Sequence, residues 1–151
     1  MPVAALLQPR ARMSDYVDTF ERSLSRIAFQ HDAFFDRFYD ILIGSNADVA
    51  AKFEGVDMER QKRVLRDSLR ELAVFFASHT ITPDMEKLAR IHSRAHLDIA
   101  PRLYDIWMDS LVKAAHETDS EFDDRAELAW RLVLSPGIEF MKFHHDRELP
   151  T

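Results

Sequence analysis

The chain has 151 residues, a length typical of one domain. Hydrophobic residues make up 46% and charged residues 30%, the balance of an ordinary folded chain. The absence of cysteine excludes a disulfide framework, a thiolate zinc site, an iron–sulfur cluster and a cysteine nucleophile. The formal net charge of -6 argues against nucleic acid as the main partner, because phosphate binding requires a basic surface.

Glycine is scarce, with 3 residues in the chain. Tight turns with positive φ and phosphate-binding loops depend on glycine, so β-rich, Rossmann and P-loop folds are disfavoured and an all-α fold is predicted. No apolar run approaches about 18 residues, so we expect no membrane span. The first residues hold a short apolar run without a basic leader, so we expect no signal peptide and a cytoplasmic location.

Helical apolar spacing begins at Ser14, which can cap a helix with an acidic first turn. A second, aromatic-rich helix ends near Gly44, and a short helical piece covers Asp48–Lys52. Asp57 can cap a long third helix that stops near His79. The positions expected to face inward on the three main helices are Tyr16, Phe20, Leu24, Ile27, Phe34, Phe35, Phe38, Tyr39, Ile41, Leu42, Gln61, Leu65, Ser68, Leu69, Leu72, Phe75 and Phe76.

In the second half, Thr82-Pro83-Asp84 is a strong start signal for a short helix, with a cap, a proline and an acid in order. Pro101 opens the next helix, and the last runs from about Asp119 or Ser120 to His145 with an expected kink at Pro136-Gly137. The expected inward positions are Leu88, Ile91, His92, Ala95, Tyr104, Trp107, Met108, Leu111, Phe122, Leu128, Trp130, Leu132, Ile138 and Met141.

Six or so helices without repeats or flexible linkers predict one compact domain. We place this domain at residues 14–147. Residues 1–13 are expected to form a frayed or lightly packed extension, and residues 148–151 a C-terminal tail.

Three polar side chains interrupt the apolar stripes, namely Tyr39, Gln61 and His92. They come from three helices and point toward one aromatic-rich interior, which indicates a shared ligand. Each also has a purely structural explanation: a core tyrosine bonded to a main-chain carbonyl, an exposed first-turn glutamine, and a hydrogen-bonded histidine on a short helix.

A metal site built on His92 and His96 is an alternative, because the two are four residues apart and would share a helix face. Such a site needs further ligands. The sequence offers no matching set of histidine and carboxylate ligands on other helices, so this alternative is disfavoured.

The first part of this pattern, from Tyr39 to Gln61, resembles the globin family. Tyr39 precedes Phe53 by 14 residues, a spacing similar to bacterial haemoglobins and the haem domains of flavohaemoglobins. Phe53 matches the corner phenylalanine that stacks on haem, and Gln61 matches the bacterial distal glutamine. The resemblance implies a globin fold of about six to eight helices around a haem pocket.

The proximal half carries the same resemblance, which extends over about residues 15–147. The segment from Leu88 to His96 is similar to the proximal helix, with His92 as the iron ligand. The stretch from Pro101 to Tyr104 resembles the start of the G helix, and Ala129-Trp130 the tryptophan of the H helix.

The resemblance implies haem b as cofactor, with His92 on the iron and the carbonyl of Leu88 accepting from its other ring nitrogen. Phe53 and Leu65 would pack on the haem face. Tyr39 and Gln61 would donate to dioxygen, so slow oxygen release is expected.

His96 matches a histidine that lies beside a haem propionate in animal globins, and Lys62 or Arg63 are further candidates for that contact. Tyr104 matches a tyrosine that joins a proximal network with a late glutamate in flavohaemoglobins. Here His145 stands at the glutamate position, so strong peroxidase-like activation is not expected.

The leading hypothesis is therefore a haem globin that reversibly binds dioxygen, nitric oxide and carbon monoxide. Nitric oxide dioxygenase activity would require a separate reductase, and enzymatic activity is left open. One alternative is a haem-based gas or redox sensor that acts through a protein partner, and another is a haem-free helical scaffold. A monomer and a homodimer are both compatible with the sequence.

Overall fold

The structure, a computed structural model, describes residues 12–28 and 32–147. Residues 1–11 of the expected extension, the tail 148–151 and His31 lie outside the described residues. The described part is all-helical, which confirms the predicted fold class. Its helices are α1 (Met13–Ala28), α2 (Ala33–Ser45), α3 (Ala47–Lys52), α4 (Met58–Ser78), α5 (Pro83–His92), α6 (Leu103–Thr118) and α7 (Asp124–Phe143).

Three packed helix pairs organise the core, and two of them share α7. Helix α2 packs against α6, while α1 and α4 both pack against α7. Trp130 of α7 is fully buried, with its ring centroid 4.8 Å from Phe20 of α1 and 5.6 Å from Phe34 of α2. The predicted tryptophan of the last helix is therefore the centre of the aromatic core.

A buried polar chain joins α1 to the start of the α6–α7 connection. The Trp130 indole N–H donates to Ser23 Oγ at 2.9 Å, and Ser23 donates to the Asp119 carboxylate at 2.7 Å. Arg26 closes the chain with two bonds to Asp119, at 2.7 and 2.9 Å. Each polar group that the core buries here is paired, which avoids the cost of an unsatisfied buried group.

The predicted capping signals are confirmed at the two helices that border the central cavity. Asp57 accepts hydrogen bonds from the backbone of Glu59 and Arg60 at 3.1 and 3.2 Å. Thr82 Oγ1 accepts from the backbone N–H of Met85 at 3.0 Å, and Pro83 occupies the first turn. Local chemistry therefore sets where α4 and α5 begin.

Several details of the predicted helices are wrong, among them the inward position expected for Ala95, which is exposed in the turn after α5. Helix α7 begins at Asp124, because Asp123 caps it by accepting from Ala126, while Asp119 serves the buried chain. Leu128 is 44% exposed, since it lies two positions from Trp130 on the opposite side of α7. Helix α5 ends at His92, so His92 and His96 do not share a helix face.

Among the described residues, no helix combines the length and the apolar character needed to cross a membrane.

Candidate functional site

A cavity of about 620 Å³ opens between α4, α5 and the helices that support them. Apolar side chains predominate in its wall. Four of them keep much of their surface exposed: Val56 at 36%, Val64 at 41%, Ile91 at 40% and Leu97 at 52%. A concave apolar wall with a few polar groups is typical of a site for a large apolar ligand.

His92 lies in the wall of this cavity at the last turn of α5. Its Nδ1 is 2.8 Å from the carbonyl oxygen of Leu88, the partner that was predicted. A carbonyl can only accept, so Nδ1 carries the proton and Nε2 keeps a free lone pair. Burial lowers the pKa of His92 despite the bond to Leu88, which keeps the ring neutral and able to coordinate a metal.

Tyr39 and Gln61 meet on another part of the wall. The Tyr39 hydroxyl donates to the backbone carbonyl of Gln61 at 3.3 Å, longer than the usual O–H···O distance of about 2.8 Å. Burial raises the pKa of Tyr39 to about 12, so the phenol remains a donor at neutral pH. The Gln61 side chain is half-buried, not fully exposed.

The remaining apolar residues proposed from the sequence also line the cavity. Phe53 follows α3 and packs edge-on against Tyr39, with centroids 5.5 Å apart. Leu65 is buried in α4, and Leu88 lies one turn before His92. Tyr104 of α6 is buried, and its hydroxyl lacks a hydrogen-bond partner among the described residues.

His96 is placed differently from the other predicted site residues. It lies in the turn after α5, is exposed, and does not belong to the cavity wall. Lys62 pairs with Asp36 and Glu59, and like Arg63 it does not line the cavity.

Two basic residues that the sequence analysis did not select do line the cavity, Lys52 and Arg60. Lys52 Nζ donates to the carbonyl of Leu97 at 2.9 Å, which joins the end of α3 to the turn after α5. Arg60 lies in the first turn of α4, directly before Gln61. Sequence reasoning could have found Arg60, because it directly precedes Gln61, which was already a candidate site residue.

No cluster of three or more histidine, aspartate or glutamate side chains in the described ranges is arranged to hold a metal ion. Among the described residues that line the cavity, His92 is the one histidine. A single neutral imidazole facing an apolar cavity is suited to coordinate a metal whose other ligands are supplied by a cofactor.

Comparison with known proteins places the chain in a family. It matches the crystal structure of a protein from Pseudomonas aeruginosa PAO1 that is described as structurally highly homologous to a human hemoglobin. The TM-score is 0.82 and the identity 35%, over 86% of this chain and 98% of that one. No protein-family model matches the chain, and a search of curated proteins finds no match.

This helical fold and its single-histidine cavity define a globin-like protein. The chain belongs to the globin family, as its residue pattern predicted, and its relative is of bacterial origin.

Proposed function

We propose that this globin binds haem b through Nε2 of His92 and uses it to bind diatomic gases reversibly. The observation that carries the proposal is the hydrogen bond of 2.8 Å between His92 Nδ1 and the Leu88 carbonyl. This bond selects the tautomer that coordinates iron and orients the ring in the cavity wall. Haem, when bound, supplies an iron centre with a position for dioxygen, nitric oxide or carbon monoxide.

The residues present fit such a group. The cavity of about 620 Å³ has a mainly apolar wall, which suits a flat macrocycle. Phe53 and Leu65 would pack against it, and the exposed surfaces of Val64, Ile91 and Leu97 would be covered. Covering that surface supplies an apolar driving force for binding.

Two acidic groups of the macrocycle would need basic partners at the edge of the cavity. Lys52 and Arg60 are placed for this role, because both line the cavity. His96, the residue the family resemblance suggested, is exposed outside the wall. We therefore assign this contact to Lys52 and Arg60.

Tyr39 and Gln61 would hold the gaseous ligand. The long 3.3 Å bond from Tyr39 to the Gln61 carbonyl is weak, so the phenol can turn its proton toward a ligand at small cost. Gln61 offers an amide N–H from the start of α4. Two donors would favour dioxygen, which becomes partly negative on binding, and would slow its release.

Nitric oxide dioxygenation is a compatible further activity, because dioxygen held by Tyr39 and Gln61 could react with nitric oxide to give nitrate. Sustained turnover would need electrons from a separate reductase.

The test is the absorption spectrum of the purified protein, first ferric, then ferrous, then with carbon monoxide. We expect a Soret band that shifts with the ligand, is lost or strongly altered in His92→Ala, and persists in His96→Ala. His96 is the matched control because it is an exposed histidine outside the cavity. A wild-type protein that stays colourless with added haem, or a His92→Ala protein with the wild-type spectrum, would overturn the proposal.

A further inference from the structure

The turn that follows α5 is tied to the C-terminal end of α7 by His145. The His145 ring donates from Nε2 to the Asp98 carboxylate at 2.8 Å. The His145 carbonyl accepts a hydrogen bond from the backbone N–H of Arg94 at 3.0 Å. Arg94 is also paired with Asp146, its Nε 2.8 Å from the carboxylate. Three contacts thus connect one short turn to one helix end.

The central pair of this connection is sheltered from solvent on the histidine side. The His145 side chain is only 7% exposed, whereas the Asp98 carboxylate is about half exposed. A hydrogen bond between an imidazole and a carboxylate is stronger than a neutral one, and burial of one partner reduces competition from water.

Asp98 adopts an unfavourable backbone conformation in this arrangement. Its φ is +52°, in the left-handed region that residues other than glycine rarely adopt. Such a conformation persists where surrounding contacts over-determine it. The bond from His145 supplies one of these contacts, and the backbone N–H of Asp98, which donates to the Ser93 carbonyl at 2.9 Å, supplies another.

The same turn begins at His92. The backbone carbonyl of His92 accepts from Ile99 at 3.1 Å, and the carbonyl of Ile91 accepts from Leu97 at 3.0 Å. The last turn of α5 and residues 93–99 therefore form one hydrogen-bonded unit. The two residues that flank Asp98, Leu97 and Ile99, are thus hydrogen-bonded to Ile91 and His92 at the end of α5.

Sequence position had placed His145 where related proteins carry a glutamate that faces a tyrosine. The structure assigns its side chain to another partner, because it bonds to Asp98. The Tyr104 hydroxyl has no hydrogen-bond partner in the described part of the chain. His145 therefore acts on the turn after α5.

We propose that His145 and Asp98 form a clamp that positions His92 for the iron, with His145 as a positioning residue. This role rests on the proposed function, since it assumes that His92 is the haem ligand. The clamp holds residues 93–99 against α7 and thereby restrains the backbone from which the His92 ring projects.

The variants separate the hydrogen bond from general packing. His145→Leu removes the donor, and His145→Gln keeps an N–H donor at similar reach. Asp98→Ala removes the acceptor, and Asp98→Asn keeps an acceptor in a residue type that tolerates the left-handed conformation. Circular dichroism establishes that each variant is folded.

The first readout is amide hydrogen exchange in the protein without haem. We expect Arg94, Leu97, Asp98 and Ile99 to exchange at least about tenfold faster in His145→Leu and Asp98→Ala, because a charged hydrogen bond contributes a factor of this size. Exchange should stay near wild type in His145→Gln and Asp98→Asn.

The second readout concerns His92 in the haem-loaded protein. We expect the resonance Raman band of the iron–histidine bond in the ferrous state to shift or broaden in His145→Leu, and haem transfer to an excess of a haem-scavenging protein to be about tenfold faster. His145→Gln should restore both toward wild type. If the variant only lowered the general stability of the fold, haem transfer would become faster but the iron–histidine band would stay unchanged.

The outcomes distinguish the two proposals. A wild-type protein without a Soret band overturns the proposed function, and this role of the clamp with it. A normal wild-type spectrum together with unchanged exchange, or an unchanged iron–histidine band, in His145→Leu overturns the clamp alone. Faster exchange confined to residues 93–99, a shifted band and rescue by His145→Gln support it.

Discussion

At the scale of single residues, the chemistry of the cavity depends on how two polar side chains are buried. His92 is kept neutral because burial lowers its pKa, and the Leu88 carbonyl fixes which nitrogen carries the proton. Tyr39 is kept protonated because burial raises its pKa to about 12. The same physical effect, the unfavourable burial of a charge, therefore leaves one side chain as an electron-pair donor and the other as a proton donor.

Replacing Tyr39 by Phe should speed oxygen release about ten- to a hundredfold, because it removes a hydrogen bond to a partly charged ligand. Stopped-flow measurement of oxygen dissociation provides the test. With a phenol pKa of about 12, the wild-type rate should not change from neutral pH to about pH 10 on account of Tyr39.

Tyr16→Phe is the matched control, since Tyr16 lies on α1 and packs under the Arg125 guanidinium, away from the cavity. An oxygen dissociation rate in Tyr39→Phe equal to that of wild type would contradict the role assigned to Tyr39.

At the scale of helices, N-caps determine where a helix begins, and buried polar hydrogen bonds fix it against its neighbours. Helix α5 carries His92, and its start is held by Thr82, which caps Met85 and also donates to the Glu71 carboxylate of α4. Helix α1 is held by the chain from Trp130 through Ser23 to Asp119. Both devices use short polar side chains at points where backbone or charge would otherwise be unpaired.

Thr82→Ala should lower the free energy of unfolding by about 1 kcal/mol, the usual value of a lost N-cap. Thr82→Ser keeps the hydroxyl and should remain close to wild type. Urea unfolding of the haem-free protein measures both. Equal stability of the alanine and serine variants would show that the cap does not contribute.

Asp119 should make stability depend on acid pH. Burial acts against its charge, but hydrogen bonds from Arg26 and Ser23 outweigh this and hold the pKa of Asp119 below its usual value. Below about pH 4 the unfolded chain therefore takes up a proton that the folded chain does not. The stabilisation, complete above that pH, is lost as the pH falls through the folded pKa.

Asp119→Asn should flatten this acid loss and lower stability at neutral pH, since Arg26 loses its charged partner. Urea titrations between about pH 7 and pH 3 give the comparison. Asp105→Asn is the control, because Asp105 pairs with Lys142 on the surface and its side chain is 79% exposed. A wild-type acid slope retained in Asp119→Asn would rule out this assignment.

At the scale of the whole molecule, α4 and α7 pack closely against each other and both contribute to the wall of the cavity. Gly137 of α7 permits this contact: a Cβ atom there would lie 2.2 Å from Leu72 Cδ2 of α4. Leu72 also lines the cavity. The packing of two helices and the shape of the site are therefore coupled through one pair of residues.

Gly137→Ala should destabilise the fold by about 1–3 kcal/mol from overpacking, reduced by up to about 1 kcal/mol of helix propensity. Gly44→Ala is the matched control, because no atom lies within 4 Å of the added Cβ, and it should be neutral or slightly stabilising. Thermal unfolding separates the two. If Gly137→Ala were as stable as Gly44→Ala, the close contact would not limit the packing.

The sequence by itself determined what depends on neighbours along the chain. Helix periodicity and the caps at Asp57 and Thr82 are local, so they were readable from spacing. The hydrogen bond from His92 to the Leu88 carbonyl one turn back is also local, but it was expected from the family resemblance. The family pattern added the order of Tyr39, Phe53 and Gln61, and the structure brings these residues to one cavity.

Only the tertiary structure decided what depends on distant parts of the chain. His96 is exposed because α5 ends at His92 and His96 lies in the turn that follows, where the Arg94 N–H bonds to the carbonyl of His145, a residue 49 positions beyond His96. Lys52 lines the cavity because α3 lies near Leu97, and Asp119 is buried because Ser23 and Arg26 bond to it. Periodicity reports which face of a helix is apolar, but the contact that a polar side chain makes is selected by the packed helices around it.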